Sequence, residues 1–513
     1  MKLSITAGLT LILLLTACTN THDQGEIMKK YDILIQGGTI IDGSGSPGFQ
    51  ADILIQDSRI VQIGDLEAFL PNVNTVIDAT GKVVTPGFID SHAHGNPVKS
   101  PTFRNFSAMG VTTIVLGQDG ESAGDMAAWM TAVEEARPAI NIATLIGHGT
   151  VRSKSGVELN PDPTTEELQR MAALVDEAME LGCFGLSTGL EYQPGSFSSL
   201  AELKTIATPV GKRGGVVHSH TRNEDNDAIE QSIAELIAQG EGGGCAVNIS
   251  HLKVVYGHGA ARAEDILQQM DSARHLGVQV TADIYPYLAS FTGIGIVFPD
   301  WAKPPYKYAE VVQSNRTELA TYLRNRVNLR NGPEATLMGT EPWAGKTLAQ
   351  IATELDKPFE DVLIDDIGPN GASAAYFVMD QDLQDRLFID PYVMVCSDGS
   401  PSMRHPRGFG SFAKVIRYYV RENKLLTLEA AVHKMTGLPA ATLGLLDQKR
   451  GLLQDGFAAD ILIFDPDAVE DKATFEKPHQ FAEGFDWVIV NGIPIRANGD
   501  FTAARGGKIL RKE

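Results

Sequence analysis

An alternation of short apolar runs with amphipathic stretches between residues 86 and 445 constrains the fold more than any other feature. About eight apolar runs, among them VTTIVLG, CFGLSTGL and CAVNISHLK, have the length and composition of buried strands. Between them lie helical patterns, such as the one that spaces Leu168, Met171 and Val175 along one face. Strand and helix in repeated alternation predict a parallel α/β fold. Eight units favour a (β/α)8 TIM-like barrel, while a doubly wound sheet also fits the pattern.

The two ends of the chain have a different texture from the middle. Residues 31–85 and 446–513 consist of short β-rich runs separated by Gly, Asp and Ser, and the pentapeptide ADILI occurs in both, at Ala51 and Ala459. We therefore predict one small β-domain built from both termini, with residues 86–445 forming the barrel.

The first residues have the features of an export signal. Lys2 precedes an apolar run, Leu9 to Leu15, which is shorter than the roughly 20 residues that span a bilayer. The LTAC sequence that follows resembles the bacterial lipoprotein signal, whose cysteine is lipidated after cleavage. By this resemblance residues 1–17 are a signal peptide, Cys18 carries the lipid and residues 18–30 are a tether. We expect an exported, membrane-anchored lipoprotein at the periplasmic face of the outer membrane.

Charge and cysteine content limit the partners. A formal net charge of −21 argues against nucleic acid, whose binding depends on basic residues that neutralise phosphates. Cys183, Cys245 and Cys396, an odd number of widely separated residues, do not form a disulfide framework. The expected partner is a small molecule, and the membrane is contacted only through the lipid at Cys18.

Polar residues cluster where the predicted strands end. His92 and His94, in PGFIDSHAHGN, are two residues apart, so their side chains share one face of an extended segment. The other candidates that follow strand-like runs are Asp119, His220, His251, Lys253, Tyr285 and Asp398. Carboxyl ends of parallel strands meet at one edge, so we expect these side chains to lie together.

This residue set indicates a buried metal site. Histidine and carboxylate are ligands of zinc, and burying so many polar groups is unfavourable unless they are paired. Bound zinc lowers the pKa of its water to about 7, which favours hydrolysis. Asp398 has the chemistry of a general base and acid, and Lys253 with the tyrosines can orient an anionic substrate.

Seven motifs in this order resemble the N-acyl-D-amino-acid deacylases (D-aminoacylases) of the amidohydrolase superfamily. The resemblance runs from about Tyr31 to Leu510. The motifs are PGFIDSHAHGN, GLSTGLEYQPG, HSHTRNE, ISHLK, DIYPY, CSDGSP and HPRGFGSFAKVI. It implies a (β/α)8 barrel with a β-sandwich formed from both termini. It also implies hydrolysis of the amide of N-acyl-D-amino acids, releasing a carboxylic acid and a D-amino acid.

The resemblance also implies roles for single residues. A tightly held zinc would be bound by His220, His251 and the residue at position 119. His92, His94 and Asp398 would complete a weaker second metal position, with Asp398 as the proton shuttle. Lys253 and Tyr285 would contact the substrate carboxylate. We also predict Tyr192 and Arg222 as substrate contacts, although Arg222 fits equally an ion pair that holds His220, the role we expect for Glu224.

The chain departs from the family pattern at two positions and carries an insert. Asp119, in GQDG, stands where the family usually has cysteine, so one or two zinc ions are expected and other divalent metals are possible. Phe291 replaces a serine that the family associates with carboxylate binding. The aromatic and Pro-rich segment within residues 290–338 is a candidate lid.

Alternatives remain at this point. A dipeptidase, or a cyclic amidase of the hydantoinase or dihydroorotase kind, would share the superfamily. Cyclic amidases typically bridge two metals with a modified lysine on the fourth strand, and the corresponding LGCFGLSTGLEY has none. A non-catalytic lipoprotein scaffold is the least favoured, because such a copy would be expected to lose metal ligands.

Overall fold

The computed structural model describes residues 30–513. The predicted signal peptide, the lipidation site Cys18 and the tether up to residue 29 lie outside the described residues. Between residues 30 and 513, none of the helices combines the length and the apolar character needed to cross a bilayer.

Twenty-one strands are described, and they fall into a first group, a middle group with an interruption, and a last group. The first five are β1 (Tyr31–Ile40), β2 (Phe49–Gln56), β3 (Arg59–Gly64), β4 (Val73–Asp78) and β5 (Val83–Pro86). The next eight are β6 (Phe88–Asp90), β7 (Val111–Leu116), β8 (Asn141–Thr144), β9 (Ile146–Gly147), β10 (Gly185–Gly189), β11 (Val216–His220), β12 (Ala246–Ile249) and β13 (Val280–Ile284). The remainder are β14 (Ser290–Gly293), β15 (Thr336–Met338), β16 (Ser373–Tyr376), β17 (Val393–Val395), β18 (Ile461–Phe464), β19 (Phe485–Val490), β20 (Ile493–Ala497) and β21 (Asp500–Phe501).

The α-helices lie between the strands of the middle region. They are α1 (Arg104–Ala108), α2 (Met126–Ala136), α3 (His148–Ser155), α4 (Thr165–Glu180), α5 (Leu200–Lys212), α6 (Ile229–Gly243), α7 (Ala260–His275), α8 (Tyr308–Leu329), α9 (Leu348–Leu355), α10 (Phe359–Val362), α11 (Gln381–Phe388), α12 (Arg407–Lys414), α13 (Leu428–Met435) and α14 (Gly437–Leu443). Helix α4 shows the local rules: Thr164 and Glu167 form a reciprocal capping box at its start, and Met171, Val175 and Met179 form its buried face.

Both ends of the chain contribute to one nine-stranded sheet. Its order is β21-β20-β19-β18-β5-β1-β2-β3, with β4 also paired to β1. The antiparallel pair β5–β18 joins the two ends. Isoleucines from both ADILI copies, Ile53 and Ile55 from one and Ile461 and Ile463 from the other, share one buried cluster. The repeated pentapeptide therefore supplies matching apolar positions to a common core.

Eight parallel strands form the barrel. β6, β7 and β8 pair in sequence, and β9, β10, β11, β12, β13 and β17 form the second sheet. β8 and β9 are two parts of one strand interrupted at Leu145, and a parallel bridge between Ala93 and Gly399 links the segments after β6 and β17. The carboxyl ends of all eight strands therefore face one mouth.

An insertion separates the last two barrel strands. β14, β16 and β15 form an antiparallel sheet, and the helices α8, α9 and α10 pack with it around a separate apolar core. This core includes Leu319 and Leu323 of α8 as well as Ile351, Val362 and Val378. The predicted limits 290–338 are therefore too short, because the chain after Met338 continues the same small core.

Candidate metal centre and active site

The strand ends of the barrel surround one cavity of about 1290 Å³. Loops after β6, β7, β11, β12 and β17 bring five of the six predicted ligands to its lining. The five are His94, Asp119, His220, His251 and Asp398. The sixth, His92, is fully buried beside them. The cluster forms because each residue directly follows, or ends, a strand whose carboxyl end points to the mouth.

Asp119 lies at the centre of the cluster. Its Oδ1 is 3.4 Å from His92 Nε2 and 3.4 Å from His251 Nε2, and its Oδ2 is 3.3 Å from His94 Nε2. His220 Nδ1 is 3.9 Å from Oδ1. The carboxylate of Asp119 is thus shared between the histidine pair of the first strand and the pair on the fifth and sixth.

The donor atoms fall into two groups that share Asp119. One contains His92, His94, Asp119 and Asp398, and the other contains Asp119, His220 and His251. In the second group His220 Nδ1 and His251 Nε2 are only 2.9 Å apart. Two imidazole nitrogens and a carboxylate converging in this way are the donor set of a divalent cation.

Unsatisfied polar atoms provide a test of this assignment. His92 Nε2 and Asp119 Oδ1 are buried and have no hydrogen-bond partner among residues 30–513. Buried polar groups are almost always paired, so an unpaired imidazole and carboxylate facing each other need a ligand. The residues present therefore fit one or two divalent ions, with Asp119 as the shared ligand.

Two glutamates orient the histidines of the second group. Glu191 Oε2 is 3.0 Å from His220 Nε2. Glu224 Oε1 is 3.2 Å from His251 Nδ1 and accepts a hydrogen bond of 2.6 Å from Lys253 Nζ. A carboxylate on the far ring nitrogen fixes the orientation of a metal-binding histidine. The expectation that Glu224 holds His220 is therefore corrected: Glu224 holds His251, and Glu191 holds His220.

Asp398 presents its two oxygens to different partners. Oδ1 is 3.2 Å from His94 Nε2, and Oδ2 is 2.9 Å from Arg407 Nη1. Burial opposes ionisation of this carboxyl, but the Arg407 guanidinium and the neighbouring imidazoles outweigh it and hold its pKa well below the usual range. Asp398 is therefore a carboxylate able to accept a proton.

Three of the four predicted substrate contacts line the cavity. They are Lys253, Tyr285 and Tyr192. The Tyr285 hydroxyl is buried without a partner in the described part of the chain, and burial raises its pKa to about 12. The Tyr192 ring lies 4.4 Å from that of His220, and its hydroxyl is 3.0 Å from Thr292 Oγ1. Their roles toward a substrate stay predictions.

The structure does not place Arg222 in the cavity lining, so its predicted substrate role is corrected. Its guanidinium forms a bidentate ion pair with Glu235, at 2.9 and 3.0 Å, and donates to the carbonyls of Ser196 and Ser198. With its donors engaged in this way, Arg222 fixes the loop after β10.

Arg407 and Glu191 are the site residues that sequence reasoning missed. Arg407 lines the cavity, contacts Asp398 and lies 4.7 Å from the centre of the Tyr285 ring. Both occur inside quoted motifs, HPRGFGSFAKVI and GLSTGLEYQPG, and a charged residue next to a strand end was the available signal. Phe291 lines the same cavity, where the family pattern has serine.

Comparisons with known proteins agree with this geometry. The chain matches the Amidohydrolase family over residues 75–311 and 393–495. The N-acyl-D-glutamate deacylase of Alcaligenes xylosoxydans xylosoxydans is 36% identical, with 95% of this chain and 98% of that protein covered.

Solved structures give the same answer. The N-acyl-D-glutamate deacylase of Bordetella bronchiseptica, complexed with zinc and a phosphonate inhibitor, is 36% identical with a TM-score of 0.80, covering 94% of this chain and all of that one. A D-aminoacylase with a binuclear metal centre is 32% identical with a TM-score of 0.80 and the same coverage. The predicted fold class is confirmed. The chain belongs to the amidohydrolase family and, within it, to the N-acyl-D-amino-acid deacylases.

Proposed function

We propose that this protein hydrolyses the linear amide of N-acyl-D-amino acids with the help of zinc, releasing a carboxylic acid and a D-amino acid. The observation that carries the proposal is the position of the Asp119 carboxylate, shared by two groups of histidines opposite the ionised Asp398. The D-aminoacylase and D-glutamate deacylase named above act on such amides, which supports both the bond and the stereochemistry.

Six residues whose donor atoms converge at the mouth of the barrel would hold the metal. They are His92, His94, Asp119, His220, His251 and Asp398. Zinc supplies a water of lowered pKa and polarises a carbonyl. Asp398 takes the proton of the attacking water as its oxygen bonds to the amide carbon, and returns it to the nitrogen as the C–N bond breaks.

Cationic residues bind the substrate carboxylate. Lys253 and Arg407 lie on the cavity wall, with the Tyr285 ring within 6.0 Å of the one and 4.7 Å of the other. The Tyr285 hydroxyl, unpartnered among the described residues, has a hydrogen bond to offer. Together they orient an amide whose amino-acid part is anionic. The cyclic-amidase alternative is not favoured, because β10 and the residues directly around it contain no lysine to bridge two metals.

The test is amine release from paired N-acetyl-D- and N-acetyl-L-amino acids by the zinc-loaded protein. We expect D-selective release, and Asp398→Asn should lower kcat by about 10²–10⁴-fold while the tightly bound metal is retained. Asp447→Asn, at an exposed position, is the matched control. Near-full activity of Asp398→Asn would contradict the mechanism.

We also propose that the protein is an exported lipoprotein anchored through Cys18 at the periplasmic face of the outer membrane. The LTAC sequence after a short apolar run supports this proposal. Mass spectrometry of the mature N-terminus should find a diacylglyceryl group on Cys18, and Cys18→Ala should release the protein from the membrane fraction. An unmodified Met1 in the mature protein would contradict the anchor.

A further inference from the structure

Three buried cations line the cavity, and only two of them are ion-paired within residues 30–513. Lys253 contacts Glu224, and Arg407 contacts Asp398. The third, Arg330, is 2% exposed and forms no ion pair with any described residue. Arginine stays protonated in proteins, so its charge is fully present. A buried and unpaired guanidinium is strongly unfavourable and calls for an anion.

The surroundings of Arg330 hold it in place without neutralising it. The residue directly follows α8, and its guanidinium carbon lies 4.8 Å from the centre of the Tyr376 ring and 6.0 Å from that of Tyr256. Its side-chain hydrogen bond from Nη1 to the Tyr256 hydroxyl is long at 3.4 Å. The buried Nε has no partner in the part of the chain that the structure describes. Aromatic faces stabilise the cation, but they do not supply acceptors for its N–H groups.

Two further donors near Arg330 are also unused. The hydroxyls of Tyr376 and Ser290 are buried and have no hydrogen-bond partner among the described residues. Ser290 and Tyr376 are direct partners across the antiparallel pair β14–β16, so their side chains lie on one face of that sheet. Ser290, like Arg330, lines the catalytic cavity.

We propose that Arg330, with the hydroxyls of Tyr376 and Ser290, forms a second carboxylate-binding subsite that selects substrates carrying a carboxylate besides the one on the amino-acid carbon. The inference rests on the proposed function. Such a carboxylate has two possible sources, the side chain of the D-amino acid and the acyl group. Either would give the guanidinium and the two hydroxyls the acceptors they lack.

The test compares isosteric pairs on the zinc-loaded full chain. N-acetyl-D-glutamate against N-acetyl-D-glutamine probes the side chain, and N-succinyl-D-alanine against N-butyryl-D-alanine probes the acyl group. We expect kcat/KM to favour the dicarboxylate by about 30-fold or more in one pair, which identifies the source. Equal values in both pairs would overturn the inference.

Variants connect the preference to the residues. Arg330→Gln should reduce the preference to about threefold or less while kcat/KM for the neutral member of the pair changes little. Arg324→Gln, on the exposed side of the same helix, should keep the preference. Tyr376→Phe removes only the hydroxyl and should weaken the preference by about threefold to tenfold, so that the inference can be tested even if Arg330→Gln does not fold.

The two proposals fail in different ways. Release from neutral N-acyl-D-amino acids without any dicarboxylate preference would contradict the role of Arg330 and leave the proposed function intact. An unchanged preference in Arg330→Gln would do the same. Absence of release from every N-acyl-D-amino acid, with metal bound, would contradict the proposed function and the inference that depends on it.

Discussion

Arg407 Nη1 lies 2.9 Å from Asp398 Oδ2, while the other oxygen of the same carboxylate faces His94 at 3.2 Å. Arg407 is 3% exposed, so this ion pair is shielded from water. One oxygen is thereby held away from the histidines, and the other is directed toward them. The guanidinium fixes which oxygen of Asp398 is available for proton transfer.

We predict that Arg407→Gln lowers kcat/KM by about 10²-fold or more, because the carboxylate loses its orientation and the substrate loses a cation. Metal content should stay at the wild-type value, since Arg407 donates to a ligand and is not one. Steady-state kinetics with metal analysis on the same sample is the measurement. Arg170→Gln, on an exposed helix face, is the control. Wild-type turnover in Arg407→Gln would contradict this role.

His251→Ala should abolish tight metal binding. His251 Nε2 faces both His220 Nδ1 and Asp119 Oδ1, so its removal leaves only two donors in the second group. Metal-to-protein ratios after dialysis would measure the loss. His275→Ala, at an exposed position outside the cavity lining, should retain metal like the wild type. Full metal content in His251→Ala would show that the cation is held elsewhere.

Asp119→Cys should shift metal preference toward zinc. The family pattern has cysteine at this position, and a thiolate is a softer ligand than a carboxylate. After apo-protein is equilibrated with equal concentrations of Zn²⁺ and Mn²⁺, the bound zinc-to-manganese ratio should rise severalfold over wild type. Asp119→Asn, which removes the charge and keeps the size, should instead lower total bound metal. An unchanged ratio in Asp119→Cys would mean that position 119 does not set the selectivity.

The sequence was sufficient to predict which strand ends carry the ligands. Apolar runs followed directly by His94 or Asp398 fix both the strand and the direction of its carboxyl end, so their convergence follows from the barrel. The shared position of Asp119 was also foreseeable, because the family pattern has a metal ligand there.

Contacts across long sequence separations could not be predicted. Arg222 and Arg407 both lie in family motifs, and only the packing shows that the first is bound by Glu235 while the second reaches Asp398. Arg330 follows a helix in an insertion, and nothing in its local sequence indicates that it is buried without a counterion from the described residues. Such roles depend on which loops meet, and periodicity does not encode that.

A buried lysine gives the stability of the fold a pH dependence. Lys434, in α13, is 3% exposed and donates to the carbonyl of Asp390. Burial lowers the pKa of its ammonium group to about 7. In the unfolded chain a lysine has a pKa of about 10.4. Between these two values the unfolded state binds a proton that the folded state lacks.

We therefore predict that the free energy of unfolding rises with pH between about 7 and about 10, through Lys434, by at most about 1.4 kcal/mol per pH unit. Below pH 7 the folded protein bears a buried charge and this stabilisation is absent. Lys434→Met, which keeps an unbranched side chain without the charge, should flatten the slope and raise stability at pH 7. Urea unfolding at several pH values measures both, with the exposed Lys212→Met as control. An unchanged slope in Lys434→Met would show that Lys434 is charged to the same extent in both states.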